Sequence, residues 1–206
     1  MIDGIKIKGT IISNINISYK DIEEPNIEVL GDLSEYEVYT LQNTIYIKTI
    51  DDSINIRLNK GPVIDLISIQ LPLTYNGSID IESLDSTISI PNINDNIKRI
   101  SIEGLRNVLN ISNGKTIVKM EGLNSKVFSN NVSGTIDIEG LSNDITIYDS
   151  LNISISVDGL SSKIHYNNTT RKSSFSSIHY QNTLKEGRDN LNVRASGLKS
   201  TIYITK

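Results

Sequence analysis

A short motif written six times constrains this chain more than anything else in it. Gly-Leu, once Ser-Leu, is followed by a polar turn and an alternating strand at Ser83-Leu84, Gly104-Leu105, Gly122-Leu123, Gly140-Leu141, Gly159-Leu160 and Gly197-Leu198. Successive first positions differ by 21, 18, 18, 19 and 38 residues, so the last gap spans two periods. A fixed period near 19 residues with strand-type alternation predicts a single-stranded β-solenoid (β-helix), with coils of about 18–21 residues stacked on one another.

With the Gly numbered zero, position −4 holds Ile79, Ile100, Val118, Ile136, Ile155 and Val193. Position −2 holds Ile81, Ile102, Met120, Ile138, Val157 and Ala195. Apolar residues two apart share one face of a strand. Position +5 holds Ile88, Leu109, Val127, Ile145, Ile164 and Ile202, and +7 repeats Ile or Tyr with Ser129 as the exception. These columns, together with the invariant Leu at +1, are expected to form the core. The small polar residues at +3, Ser86, Asn107, Ser125, Asn143, Ser162 and Ser200, suit a hydrogen-bonded ladder at a turn.

The remaining composition agrees. Ala195 is the only alanine and Trp is absent, while Ile dominates the apolar set, which points to an all-β chain. A formal charge of −4 argues against a general nucleic-acid binder, because a phosphate-tracking surface needs clustered Lys and Arg. With no cysteine, disulfides and thiolate metal sites are excluded. The segment Met1-Ile2-Asp3-Gly4-Ile5-Lys6 has no signal-peptide pattern and no long apolar run follows, so a cytoplasmic protein without membrane insertion is expected if Met1 is the natural start.

Residues 1–75 alternate like strands but lack Gly-Leu, and read as irregular β structure, early coils and an N-terminal cap. Residues 76–206 carry the regular repeats, with an insertion at 167–190, in one continuous body. The doubled spacing predicts a degraded coil over 174–180, with Phe175 in the place that Leu fills elsewhere.

The segment Ile69-Gln70-Leu71-Pro72-Leu73, then Gly77-Ser78-Ile79-Asp80-Ile81-Glu82-Ser83-Leu84 and Ile88-Ser89-Ile90, resembles the adhesin-like β-helical repeat domains of unknown function found in bacteria and archaea. In that family a strand ending in Leu-Pro leads into short repeated coils, and Leu30-Gly31-Asp32 matches its N-terminal turn. The resemblance implies an adhesin-like shape and brings no catalytic residues with it.

Four features carry candidate function. Glu82, Glu103, Glu121, Glu139 and Asp158 at position −1 form an outward acidic ladder, which could hold a hard cation or stand as a solvated edge. The near-copies Ser161 to Tyr166 and Ser176 to Tyr180 would stack His165 on His179 and Tyr166 on Tyr180, a face for a glycan or a metal. The insertion places Arg171, Lys172, Lys185 and Arg188 in a projecting loop. Finally, Ile202-Tyr203-Ile204 runs to the chain end and offers an open strand edge for self-association. There is no phosphate-binding loop, nucleophile elbow or His-Glu-x-x-His.

The sequence therefore points to a non-enzymatic scaffold or protein-interaction module with no cofactor, pairing end to end with itself or with another protein. A glycan- or cation-binding module is the alternative, and a β-helix enzyme acting on polysaccharide is the third reading.

Overall fold

The structure, a computed structural model, describes residues 2–32, 34–50, 64–148, 152–166, 169–173, 177–183 and 190–205. Among the described residues, the chain is extended wherever Ile or Val recurs at every second position. The strands are β1 (Gly4–Lys20), β2 (Asn26–Gly31), β3 (Tyr36–Leu41), β4 (Thr44–Thr49), β5 (Ile64–Pro72), β6 (Ser78–Ile90), β7 (Arg99–Gly104), β8 (Arg106–Tyr148), β9 (Asn152–Tyr166), β10 (Thr169–Ser173), β11 (Ile178–Thr183) and β12 (Leu191–Thr205). The described residues contain no helix, and all these strands join one sheet.

Consecutive repeats pair in parallel with like on like. Ile79 faces Ile100 and Ile81 faces Ile102, Ile100 faces Val118 and Ile102 faces Met120, and Ile88 faces Leu109. A slip of one residue would turn every buried Ile to solvent, so the alternation fixes this register. The described side chains at −4, −2, +5 and +7 are buried as expected, the apolar ones in a single cluster, and Ser129 is buried within the +7 row. β1 takes the same register without a Gly-Leu pair, with Ile5, Ile7 and Ile15 against Ile79, Ile81 and Ile88.

The order of strands departs from the order of sequence at both ends. β1 lies between β6 on one side and β4 and β5 on the other. β12 lies between β8 and β9, so that Ile202 pairs with both Ile145 and Ile164. The first and last strands of the chain are thus each held on two sides. The outermost positions belong instead to antiparallel strands: β3 on β4, β2 on β5, β10 on the second half of β9 and β11 on its first half.

This arrangement corrects three expectations. The strand edge expected at Ile202-Tyr203-Ile204 is paired on both sides, because the chain returns past β9 to fill the place next to β8. Among the described residues the doubled spacing holds no parallel coil. Its strand, β11, runs antiparallel to β9, Tyr180 against Ile155, and Phe175 lies outside the described residues. The segment expected to project as a loop supplies β10 and β11, which cover the edge of β9.

One more correction concerns the corner of the repeat. Where its side chain is described, the Leu at +1 is not core. Leu105, Leu123, Leu141 and Leu198 are 36–50% exposed, while the polar +3 residues Ser86, Asn107, Ser125, Asn143 and Ser200 are buried. The alternation breaks at the corner, so the residue after Gly points outward and the one three beyond it turns in. Glycine itself is needed mainly for close approach. A Cβ on Gly140 would stand 1.9 Å from the Gly122 carbonyl oxygen, and one on Gly197 1.7 Å from that of Gly140.

Candidate functional site

The corner builds the surface outward from this glycine column. Inside it, the polar +3 residues are tied to backbone: Asn107 donates through Nδ2 to the carbonyl of Ser83 at 2.9 Å, and Asn143 donates to that of Ser196 at 2.9 Å and to Ser200 Oγ at 3.3 Å. Ser86 donates to Ser83 Oγ at 2.5 Å. The hydrogen-bonded turn expected from sequence is present, and it makes the corner rigid. Outside it stand two neighbouring rows, separated by the single glycine: the acidic row at −1 and the leucine row at +1.

The acidic row forms in part. Glu82 stands in register with Glu103, and Glu103 with Glu121. The approach of Gly140 to Gly122 brings Glu139 next. There the series is interrupted, since Ser196 of the intercalated β12 pairs with both Glu139 and Asp158. Lys8 begins the row and reaches Glu82 at 3.1 Å. Lys119, two residues before Glu121, bonds it at 2.5 Å. The Lys119 ammonium is held above the ordinary lysine value, first by this hydrogen bond, then by the charge of Glu121, with Glu139 and Glu103 adding to it. Solvent-exposed pairs of this kind contribute about 0–1 kcal/mol each. Lysines thus already stand along the row.

The leucine row runs beside it, carried by Leu84, Leu105, Leu123, Leu141 and Leu198. Neighbouring strands lie about 4.8 Å apart, so these side chains make a continuous apolar ridge. Arg106 bonds Asp85 at 2.8 Å on the far side of the ridge.

The His/Tyr face is not assembled as expected. His179 pairs in register with Ser156 and Tyr180 is buried in the core against Ile155, because β11 runs antiparallel. His165 stacks instead on Tyr203, ring centroids 4.6 Å apart and planes 7° apart, and its Nδ1 lies 2.9 Å from Thr170 Oγ1. Tyr166 is in register with Ile204 and Thr169.

Two features escaped sequence reading. Asn92, Asn113 and Asn131 form a ladder nine residues after Ser83, Gly104 and Gly122, all in the left-handed region with φ of 54°, 50° and 53°. Nδ2 of Asn113 donates to Asn92 Oδ1 at 2.9 Å, and Nδ2 of Asn131 to Asn113 Oδ1 at 3.0 Å. The repeat of Asn at this position was the available signal. The second is a shallow cavity of about 510 Å³ near β3, lined by Tyr39, Tyr46, Lys6, Lys8, Lys48 and Arg99 among others. Tyr39 and Tyr46 stack with centroids 5.0 Å apart, and Lys6 Nζ lies 5.8 Å from the Tyr46 ring centre. These tyrosines come from a hairpin without the repeat, so no periodicity announced them.

Among the described residues no group of three or more His, Cys, Asp or Glu is placed to hold a metal ion, and no helix is long and apolar enough to cross a membrane. No protein-family model and no curated protein matches the chain. Among solved structures, a candidate cell adhesion protein from Clostridium sporogenes is similar at 14% identity and a TM-score of 0.54, covering 100% of this chain and 93% of its own. A candidate adhesin from Bacteroides fragilis is 12% identical with a TM-score of 0.38, over 99% of this chain and 92% of its own. The likeness to the Clostridium protein shows that this chain shares its all-β fold with it.

Proposed function

We propose that this chain is a non-enzymatic interaction module, a β-solenoid of adhesin-like type whose corner presents a leucine ridge flanked by carboxylates to a protein partner. The observation that carries this reading is the exposure of a leucine in repeat after repeat on a rigid, hydrogen-bonded corner. An exposed Leu contributes little to folding, whereas a continuous apolar row edged by charge marks an interaction surface. The acidic row restricts the partner to one whose apolar stripe is bordered by Lys or Arg. The fold shared with a candidate cell adhesion protein supports the same reading.

The test uses two immobilised synthetic amphipathic peptides of equal length, one built of Leu and Lys, the other of Leu and Glu. The wild type binds the first and not the second. The double variant Leu123→Ser/Leu141→Ser keeps its melting temperature and loses that binding. Equal binding of both peptides, or undiminished binding by the variant, removes the ridge from the account.

The cavity beside Tyr39 and Tyr46 favours a second reading, a glycan site in which aromatic rings, basic side chains and the carboxylates of Asp80, Glu82 and Glu103 meet. Tyr46→Ala then abolishes retention on immobilised oligosaccharide while leaving peptide binding unchanged. Retention that survives this substitution discards the glycan reading.

A further inference from the structure

We propose that β3 is a strand-addition site for a second copy of this chain, so that two molecules join through antiparallel β3 strands about a two-fold axis. Among the described residues β3 ends the sheet and pairs only with β4. Its far side leaves a row of backbone N–H and C=O groups unpaired among the described residues, which is a template for another strand. Three large side chains along it are open to solvent: Val38 is 47% exposed, Tyr39 39% and Leu41 55%.

The other outer strands carry the devices that block such pairing. β2 is led in by Glu23, Glu24 and Pro25 and has Glu28 within it. β10 has Arg171 and Lys172 side by side, so a cation lies on each of its faces. Arg171 also ties down β11, with Nη1 donating to the His179 carbonyl at 3.4 Å and its guanidinium 5.6 Å from the Tyr180 ring centre. In β3 the single charge is Glu37, which already stands across from Lys48.

The occupant is a second copy because β3 is complementary to itself. An axis normal to the sheet keeps each face on its own side, so partners must be of like parity. Centred on Val38, the pairing sets Val38 against Val38, Tyr36 against Thr40 and Glu37 against Tyr39. No like charges oppose one another, and an aliphatic pair occupies the middle. Like ends meeting about a two-fold axis close the assembly at two copies. The dimer then carries two leucine ridges on one body, which raises avidity for a partner with repeated sites.

Light scattering on the intact chain reads the outcome. Wild type at about 100 μM is expected to scatter at twice the chain mass, and Val38→Lys at the single mass with an unchanged circular-dichroism spectrum. Because the chain has no cysteine, Val38→Cys gives a second reading: oxidation links it to itself as a disulfide dimer, whereas Thr170→Cys on β10 stays unlinked. A wild type that remains at the single mass at several hundred micromolar overturns the proposal. So does a Val38→Lys variant that still scatters at double mass, or a mixture in which Val38→Cys links to Thr170→Cys, which would mean head-to-tail contact.

Discussion

One methyl group separates the two kinds of glycine in this chain. At Gly140 a Cβ meets a carbonyl oxygen of the neighbouring repeat at 1.9 Å, and backbone cannot step aside without breaking the parallel register. At Gly9 the nearest atoms are the side-chain ends of Thr49 and Ile12, at 3.0 and 3.1 Å, which can rotate. Gly140→Ala should therefore cost about 3 kcal/mol and Gly9→Ala under about 1 kcal/mol, measured by urea denaturation. Equal costs would mean that the glycines serve turn freedom rather than close approach. Ser129 makes the opposite case. It is fully buried among Ile and Val, and its hydroxyl has no partner among the described residues. Ser129→Ala is expected to stabilise by about 1 kcal/mol, and a loss of stability would show that the hydroxyl is satisfied. At this scale the sequence was legible where alternation holds, at −4, −2, +5 and +7. It misled at +1, because a repeated Leu looks the same whether it faces the core or water, and only the corner decides which.

Among the elements, spacing gives the repeat but not the order of stacking. The 38-residue gap fitted a missing parallel coil equally well as two antiparallel strands, and the chain uses the latter, β10 and β11, then returns to place β12 inside the stack. No residue within Leu191–Thr205 records that choice, because its apolar rows match those of β8 and β9 alike. The consequence is sharp. β12 buries Leu191, Val193, Ile202 and Ile204 between two neighbours, and four such side chains at about 1.5–3 kcal/mol each rival a typical domain stability of about 5–15 kcal/mol. A chain ending at Asn190 should lose its cooperative melt rather than merely shorten. A synthetic peptide of residues 190–206 added in trans should restore it, as a strand that fills a slot. A truncated chain that melts as the wild type does would place β12 at a dispensable edge.

Across the whole molecule, stability in alkali is expected to depend on two tyrosines, Tyr19 of β1 and the buried Tyr75. Burial raises the Tyr19 phenol above its ordinary value of 10.0, with the charge of Tyr75 adding to it. Burial likewise raises Tyr75, with Asp3 and Asp80 adding their charges. In both, the neutral form belongs to the folded state. Below pH 10.0 the phenols are protonated whether the chain is folded or not, and the full stability is present. Above it the unfolded chain releases protons that the folded chain keeps, so stability falls as pH rises toward the folded values. By pH 11 each tyrosine removes up to about 1.4 kcal/mol. Lys119, also raised, acts in the same direction from above its ordinary 10.5. The variants separate the causes. The Tyr19 hydroxyl is buried with no partner among the described residues, so Tyr19→Phe should match or exceed wild type at pH 7 and gain over it at pH 11. Tyr75 donates to the Ser78 carbonyl at 2.7 Å, so Tyr75→Phe should lose about 1 kcal/mol at pH 7 and recover that deficit as pH rises. Denaturant midpoints measured from pH 7 to 11 decide it: curves for the two Phe variants that run parallel to wild type throughout would assign the alkaline limb to other groups.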